Sequence, residues 1–149
     1  VLAELGEPEG VTDLEMNVVA HTWAHDTATP VAITVVDDSG SPLVSRLPRM
    51  VASTAGLVAM KAATVPLRAS SKPEKRASDL YDLARLLVGA VGAPAINGAP
   101  GALRDSVVAS LGRWFVEPAG RDRTYREIRR FDEVSIDLDE VADAVEELG

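Results

Sequence analysis

The chain has 149 residues, 46% of them apolar and 26% charged, with a net charge of −8 and no cysteine. That is enough apolar material for one domain with its own core, and it excludes disulfide staples, thiolate metal sites and a cysteine nucleophile. Aromatic residues make up only 4%, so the core is expected to be built from Val, Leu, Ile and Ala.

No apolar run approaches the roughly 20 residues that a membrane span needs, and no membrane partner is expected. The first ten residues, VLAELGEPEG, are acidic and lack the positive leader of a signal peptide. A cysteine-free chain suits a reducing compartment, and a cytoplasmic location is the expectation. The acidic total argues at first against nucleic acid, but the charges are segregated. Residues 1–50 hold two basic and eight acidic side chains, and residues 61–86 hold six basic and three acidic. Residues 104–130 hold seven basic and four acidic, and residues 131–149 hold eight acidic and none basic. A basic middle between acidic ends leaves two readings, a face that meets phosphates or an ordinarily solvated surface.

In chain order, residues 13–20 read as a strand with Leu14, Met16 and Val18 on one face. Residues 31–36, VAITVV, are β-branched and read as a second strand. Asp37 to Pro42 is a turn by composition, and Pro42 to Leu47 reads as a short third strand closed by Pro48. Residues 51–64 read as an apolar helix that Pro66 ends. Ser70 to Ala77 reads as a loop. A helix is expected from Ser78, its N-cap, with Leu80, Leu83, Ala84, Leu87, Val88 and Val91 on the apolar face. Residues 89–101, rich in Gly, Pro and Ala, read as a loop, and residues 102–116 as another helix. Asp137 opens a last helix, with Glu140 placed for a capping box. The expected fold class is α/β, in a single domain over 1–149. Residues 1–50 would be mainly strands and 51–149 mainly helical.

Three residues stand out chemically. Lys61 lies in an otherwise apolar helix, where its ammonium either snorkels to solvent or meets an anion such as a triphosphate. Asp79 and Asp82 are three apart and share a helix face. In a first turn the helix dipole alone favours them. Converging carboxylates can also hold a divalent metal or orient a lysine.

Taken in order, the segment Leu57-Val58-Ala59-Met60-Lys61-Ala62-Ala63, then Arg68, Arg76 and Asp79-Leu80-Tyr81-Asp82-Leu83, resembles the later motifs of the AbiEii and MenT nucleotidyltransferase toxins. That family belongs to the DNA polymerase β superfamily, and the resemblance covers about residues 50–90. It implies a nucleotidyltransferase-like fold, a small sheet followed by a helical half. Lys61, Asp79 and Asp82 would be catalytic residues, and Lys61, Arg68 and Arg76 would contact phosphates. The family also carries a Gly-Ser and a magnesium-binding D-x-D strand. Asp13 and Glu15 are similar to that pair, and on a strand they would project from one side and share Mg2+. Glu15 stands where Asp is usual, and no Gly-Ser precedes it in the visible chain. The missing element is expected upstream of Val1, or the site is degenerate. The resemblance further implies a nucleoside triphosphate as substrate, an acceptor such as the tRNA 3′ end or a protein, and a cognate antitoxin as partner.

Other features carry less. His21 and His25 are four apart, but a strand-and-turn reading keeps them from converging on a metal. Trp114-Phe115 reads as core rather than a base-stacking platform. Arg121, Arg123, Arg126, Arg129 and Arg130 either follow an RNA backbone or pair with the acidic segment 132–147. Two rivals to the transferase remain, a non-catalytic relic serving as a binding or scaffold module, and an unrelated acidic interaction protein.

Overall fold

The computed structural model describes residues 12–68, 72–89, 95–131 and 136–148, with the backbone alone for residues 44–46. It is a mixed α/β structure, mostly helical, with one two-stranded antiparallel sheet.

The first element is a helix, α1 (Asp13–Asp26), where a strand was expected. Thr12 is its N-cap, with its hydroxyl accepting from the Glu15 backbone N–H at 3.3 Å. The Glu15 carboxylate accepts in return from the Thr12 backbone N–H at 2.8 Å. This reciprocal capping box nucleates a helix and overrides the alternation of Leu14, Met16 and Val18. Two of those residues, Leu14 and Val18, end up exposed, while α1 buries Ala20, Trp23 and Ala24.

Strands β1 (Thr29–Val36) and β2 (Pro42–Val51) form a hairpin. The turn between them is the expected one. The Asp37 carboxylate accepts from the backbone N–H groups of Ser39 and Ser41, both at 2.9 Å. Gly40 supplies a φ of 83°, which a side chain would disfavour. β2 runs past Pro48 to Val51, because a two-stranded ribbon has only edge strands and an edge tolerates proline.

Helix α2 (Thr54–Arg68) passes through Pro66 instead of ending before it. Pro66 lies in the last turn, so it removes a single ladder bond and leaves the preceding turns intact. Helix α3 (Pro73–Gly89) begins five residues before Ser78. Proline is well suited to a first helical position, so Pro73 starts the helix rather than marking a loop. Helix α4 (Gly101–Leu111) continues into a wide turn of π type over Gly112–Val116, closed by the Glu117 N–H donating to the Gly112 carbonyl at 2.9 Å. Helix α5 (Pro118–Ile128) and a 3-10 turn over Arg129–Phe131 follow. Helix α6 (Leu138–Glu146) is capped by Asp137, whose carboxylate accepts from the Asp139 N–H at 2.8 Å; Glu140 makes no reciprocal bond.

The helices share one core. Trp23 of α1, Val58, Ala62 and Val65 of α2, and Leu80, Leu83 and Leu87 of α3 pack with Leu103, Val107 and Leu111 of α4. Phe115 and Val141 complete it, both fully buried. α2 is the central element, in contact with α1, α3 and α4. Its alanines let those neighbours approach closely, and its two cations, Lys61 and Arg68, lie on the seam beside α3.

Candidate functional site

Lys61, Thr64 and Arg68 fall at i, i+3 and i+7 along α2 and so form one stripe. The continuation of the last turn through Pro66 is what carries Arg68 onto the helix and into that stripe. Across the seam, α3 presents Asp79 and Asp82, also one turn apart. Lys61 Nζ donates to Asp79 Oδ1 at 3.0 Å and to Asp82 Oδ2 at 2.7 Å. Arg68 Nη1 donates to the other Asp79 oxygen, Oδ2, at 2.5 Å. Asp79 is buried, with its side chain 9% exposed, whereas those of Lys61, Arg68 and Asp82 are 27%, 34% and 44% exposed. The cluster is therefore anchored on one buried carboxylate and open to solvent at its rim.

Because α3 starts at Pro73, Asp79 and Asp82 lie beyond its first turn. The helix dipole, which acts mainly within the first turn, does not account for them. Their partners do. Burial works against the Lys61 ammonium, but the hydrogen bonds to Asp82 and Asp79 outweigh it and hold its pKa above the ordinary lysine value.

Two residues that the sequence did not single out adjoin the cluster. Asn17 of α1 donates from Nδ2 to Thr64 Oγ1 at 2.9 Å, and the Thr64 hydroxyl donates to the Met60 carbonyl at 2.7 Å. Thr64 was findable as the residue one turn after Lys61. Asn17 was not, since its placement depends on α1 being a helix.

The remaining expected site residues lie elsewhere. Arg76 is buried and its guanidinium is committed to Glu127 of α5, whose other oxygen accepts from Arg123 at 2.8 Å. Burial lowers the Arg76 pKa against the opposing attraction of Glu127. Arg76 thus ties α3 to α5, with its guanidinium turned to Glu127 instead of a phosphate. Asp13 and Glu15 sit in the first turn of a helix, where two residues are separated by a rotation of roughly 200°, so they do not project from one side. Glu15 is also occupied by Thr12, whose backbone and hydroxyl hydrogen bonds lower its pKa. This pair does not fit a shared magnesium ion, and among the described residues no three His, Asp or Glu side chains come together as a metal-ligand set.

His21 and His25 do lie on one helix, contrary to the strand-and-turn expectation. Both are exposed, with His21 Nδ1 bonded to the Asn17 carbonyl at 2.8 Å and His25 Nδ1 to Asp26 at 3.2 Å. Trp114 and Phe115 are core residues, as expected. Of the arginine run, Arg121 pairs with Asp139 of the acidic segment at 2.5 Å. Among the described residues no helix is long and apolar enough to cross a membrane.

Comparison with protein-family models, curated proteins and solved structures finds no match to this chain. Its function is therefore read from the geometry of its own residues.

Proposed function

We propose that the chain is a nucleotidyltransferase of the toxin type, moving a nucleotide from a nucleoside triphosphate to an acceptor such as the 3′ end of tRNA. The observation that carries this reading is the Lys61 ammonium, held between Asp79 and Asp82 while Arg68 grips the far oxygen of Asp79. Two cations on one helix face, both aimed by a buried carboxylate, are pre-organised for phosphate oxygens, and positioning with electrostatics is most of what phosphoryl chemistry requires. Asp82, the more exposed carboxylate, yields Lys61 to the triphosphate, while Asp79 keeps both cations in place. The acceptor hydroxyl oxygen attacks the α-phosphorus and forms the new P–O bond. The α–β phosphate bond breaks, pyrophosphate leaves with the electron pair, and the hydroxyl proton passes to Asp82. The magnesium implied by the family resemblance is not assigned to Asp13 and Glu15, and these steps rest on the chain's own residues. A toxin acting on tRNA works in the cytoplasm and has a cognate antitoxin as its partner.

The test is incubation with tRNA, magnesium and each labelled nucleoside triphosphate. Wild type is expected to label the tRNA, and Lys61→Ala to lose at least about a hundredfold in rate, the effect of removing one pre-organised charge donor. Transfer that persists undiminished in the variant removes Lys61 from the mechanism. Two observations favour a second reading, a non-catalytic module that keeps the phosphate-binding cluster. Asp13 and Glu15 form no common site, and the two cations and two carboxylates close on each other. That reading predicts triphosphate binding that depends on Lys61, with no transfer to any acceptor.

A further inference from the structure

The turn after α5 ends in an aromatic side chain placed against α3. The Phe131 ring centre lies 6.0 Å from that of Tyr81, with the rings tilted by 43°. The Arg130 guanidinium carbon lies 6.0 Å from the centre of the Phe131 ring, the outer limit of a cation–π contact. Glu74, Lys75 and Ser78 of α3 line a groove of about 440 Å³ with Arg130 and Phe131. Lys75 has no ion pair among the described residues. The Arg130 Nε donates to the Glu127 carbonyl at 3.1 Å, which anchors the head group over the ring.

One stripe of α3 carries residues of both the groove and the cluster described above. Lys75, Ser78 and Asp82 fall at i, i+3 and i+7 on α3, a single stripe, and Asp82 is the carboxylate on Lys61. A ligand lying along this stripe meets two cations and an aromatic ring first and the Lys61 ammonium next. Cations interleaved with an aromatic face are the arrangement that takes a nucleobase and its backbone phosphates without demanding a sequence. A purely acidic peptide would use Lys75 and Arg130 but leave Phe131 without a partner.

We propose that the groove formed by Lys75, Ser78, Arg130 and Phe131 binds single-stranded nucleic acid and guides its end toward Lys61. The base stacks on Phe131 and the Arg130 guanidinium, and Lys75 and Arg130 meet the flanking phosphates. The Glu74 carboxylate and Ser78 hydroxyl are placed to take hydrogen bonds from base amino or ribose hydroxyl groups. This assignment rests on the transferase reading for its purpose, since it selects a nucleic acid over a protein as acceptor.

The test is fluorescence anisotropy of a short labelled single-stranded oligoribonucleotide titrated with the full chain. Phe131→Ala is expected to weaken binding at least about fivefold, the loss of one stacked base, with Phe131→Tyr restoring it. Lys75→Ala is expected to lower the slope of log affinity against log salt by about 0.7, one phosphate contact on a single strand. Thermal melting of each variant separates loss of the groove from loss of the fold. Affinity and salt slope that match wild type in folded Phe131→Ala and Lys75→Ala variants overturn the proposal. So does label transfer to a protein acceptor that Phe131→Ala leaves undiminished. Transfer rates in Lys61→Ala test the transferase reading, and oligonucleotide affinity in Phe131→Ala tests the groove, so either can fail without the other.

Discussion

Asp79 accepts from Lys61 through one oxygen and from Arg68 through the other, so neutralising it leaves two neighbouring cations of α2 without the carboxylate they share across the α2–α3 seam. Removing one partner of a fully buried pair costs about 3–5 kcal/mol. Lys61 and Arg68 reach solvent and can relax outward, which discounts the figure. Asp79→Asn is therefore expected to destabilise the protein by about 2 kcal/mol, read as a shift in urea midpoint, with a smaller shift for the more exposed Asp82→Asn. An equal effect of the two substitutions would mean that Asp79 is not the anchor. The pH dependence has a definite sign. The folded-state pKa of Lys61 is raised, so its contribution is fully present below the unfolded lysine value and is lost as pH rises through the folded one. The stability of wild type is expected to fall in the alkaline range above ordinary lysine titration, and Lys61→Met to remove that limb. An unchanged alkaline limb in the variant would assign it to other groups. At this scale the sequence was informative. A lysine in an alanine-rich helix and two aspartates one turn apart were visible as candidates, because each is costly or unusual in its local setting. Their meeting was not visible, because it depends on how α2 crosses α3.

Among the elements, α5 packs closely on the π turn before it. A Cβ on Gly120 would lie 1.7 Å from the Arg113 carbonyl oxygen, a backbone atom that cannot swing aside. Gly120→Ala is expected to cost about 3 kcal/mol, at the upper end of overpacking, whereas Gly101→Ala, where a Cβ meets nothing within 4 Å, should be near neutral. Thermal melting of the two variants checks the contrast, and equal melting temperatures would refute it. Element type was legible where composition was decisive. The β-branched run 31–36, the Asp-Ser-Gly turn and the periodic apolar face of α3 from Leu80 to Val88 appear as expected, while Val91 lies outside the described residues. Element boundaries followed from signals that point both ways. Thr12-x-x-Glu15 is a capping box written in the sequence, yet Asp13-Leu14-Glu15-Met16 also alternates like a strand, and the cap decides because it satisfies backbone donors at the start of a helix. Pro66 and Pro73 mislead in the same manner, since proline is tolerated in the last turn and at the first position although it breaks a helix between them.

The whole molecule divides its apolar residues unevenly. The helices bury a single core, while every β1 residue is exposed, including Val31, Ile33, Val35 and Val36. Phe115→Ala, deep in the helical core, is expected to cost about 3–5 kcal/mol. Ile33→Ala should stay within about 0.5 kcal/mol, and amides of the hairpin should exchange with solvent before those of α2 and α3. Hairpin amides protected as strongly as the core would show that the ribbon is held by something other than its own pairing. The charge segregation visible in the sequence has a counterpart here, as Arg121 of the basic middle pairs with Asp139 of the acidic end. By itself the sequence determined that the segments of α2, α3, α4 and α6 are helical, where the hairpin turns, and that Lys61, Asp79 and Asp82 are its unusual charges, because capping, periodicity and turn chemistry act within a few residues. Only the tertiary structure decided that Arg68 joins Lys61 on Asp79, that Arg76 faces Glu127, and that Phe131 closes a groove on α3. Those outcomes depend on the crossing of helices distant in the chain, which no local spacing records.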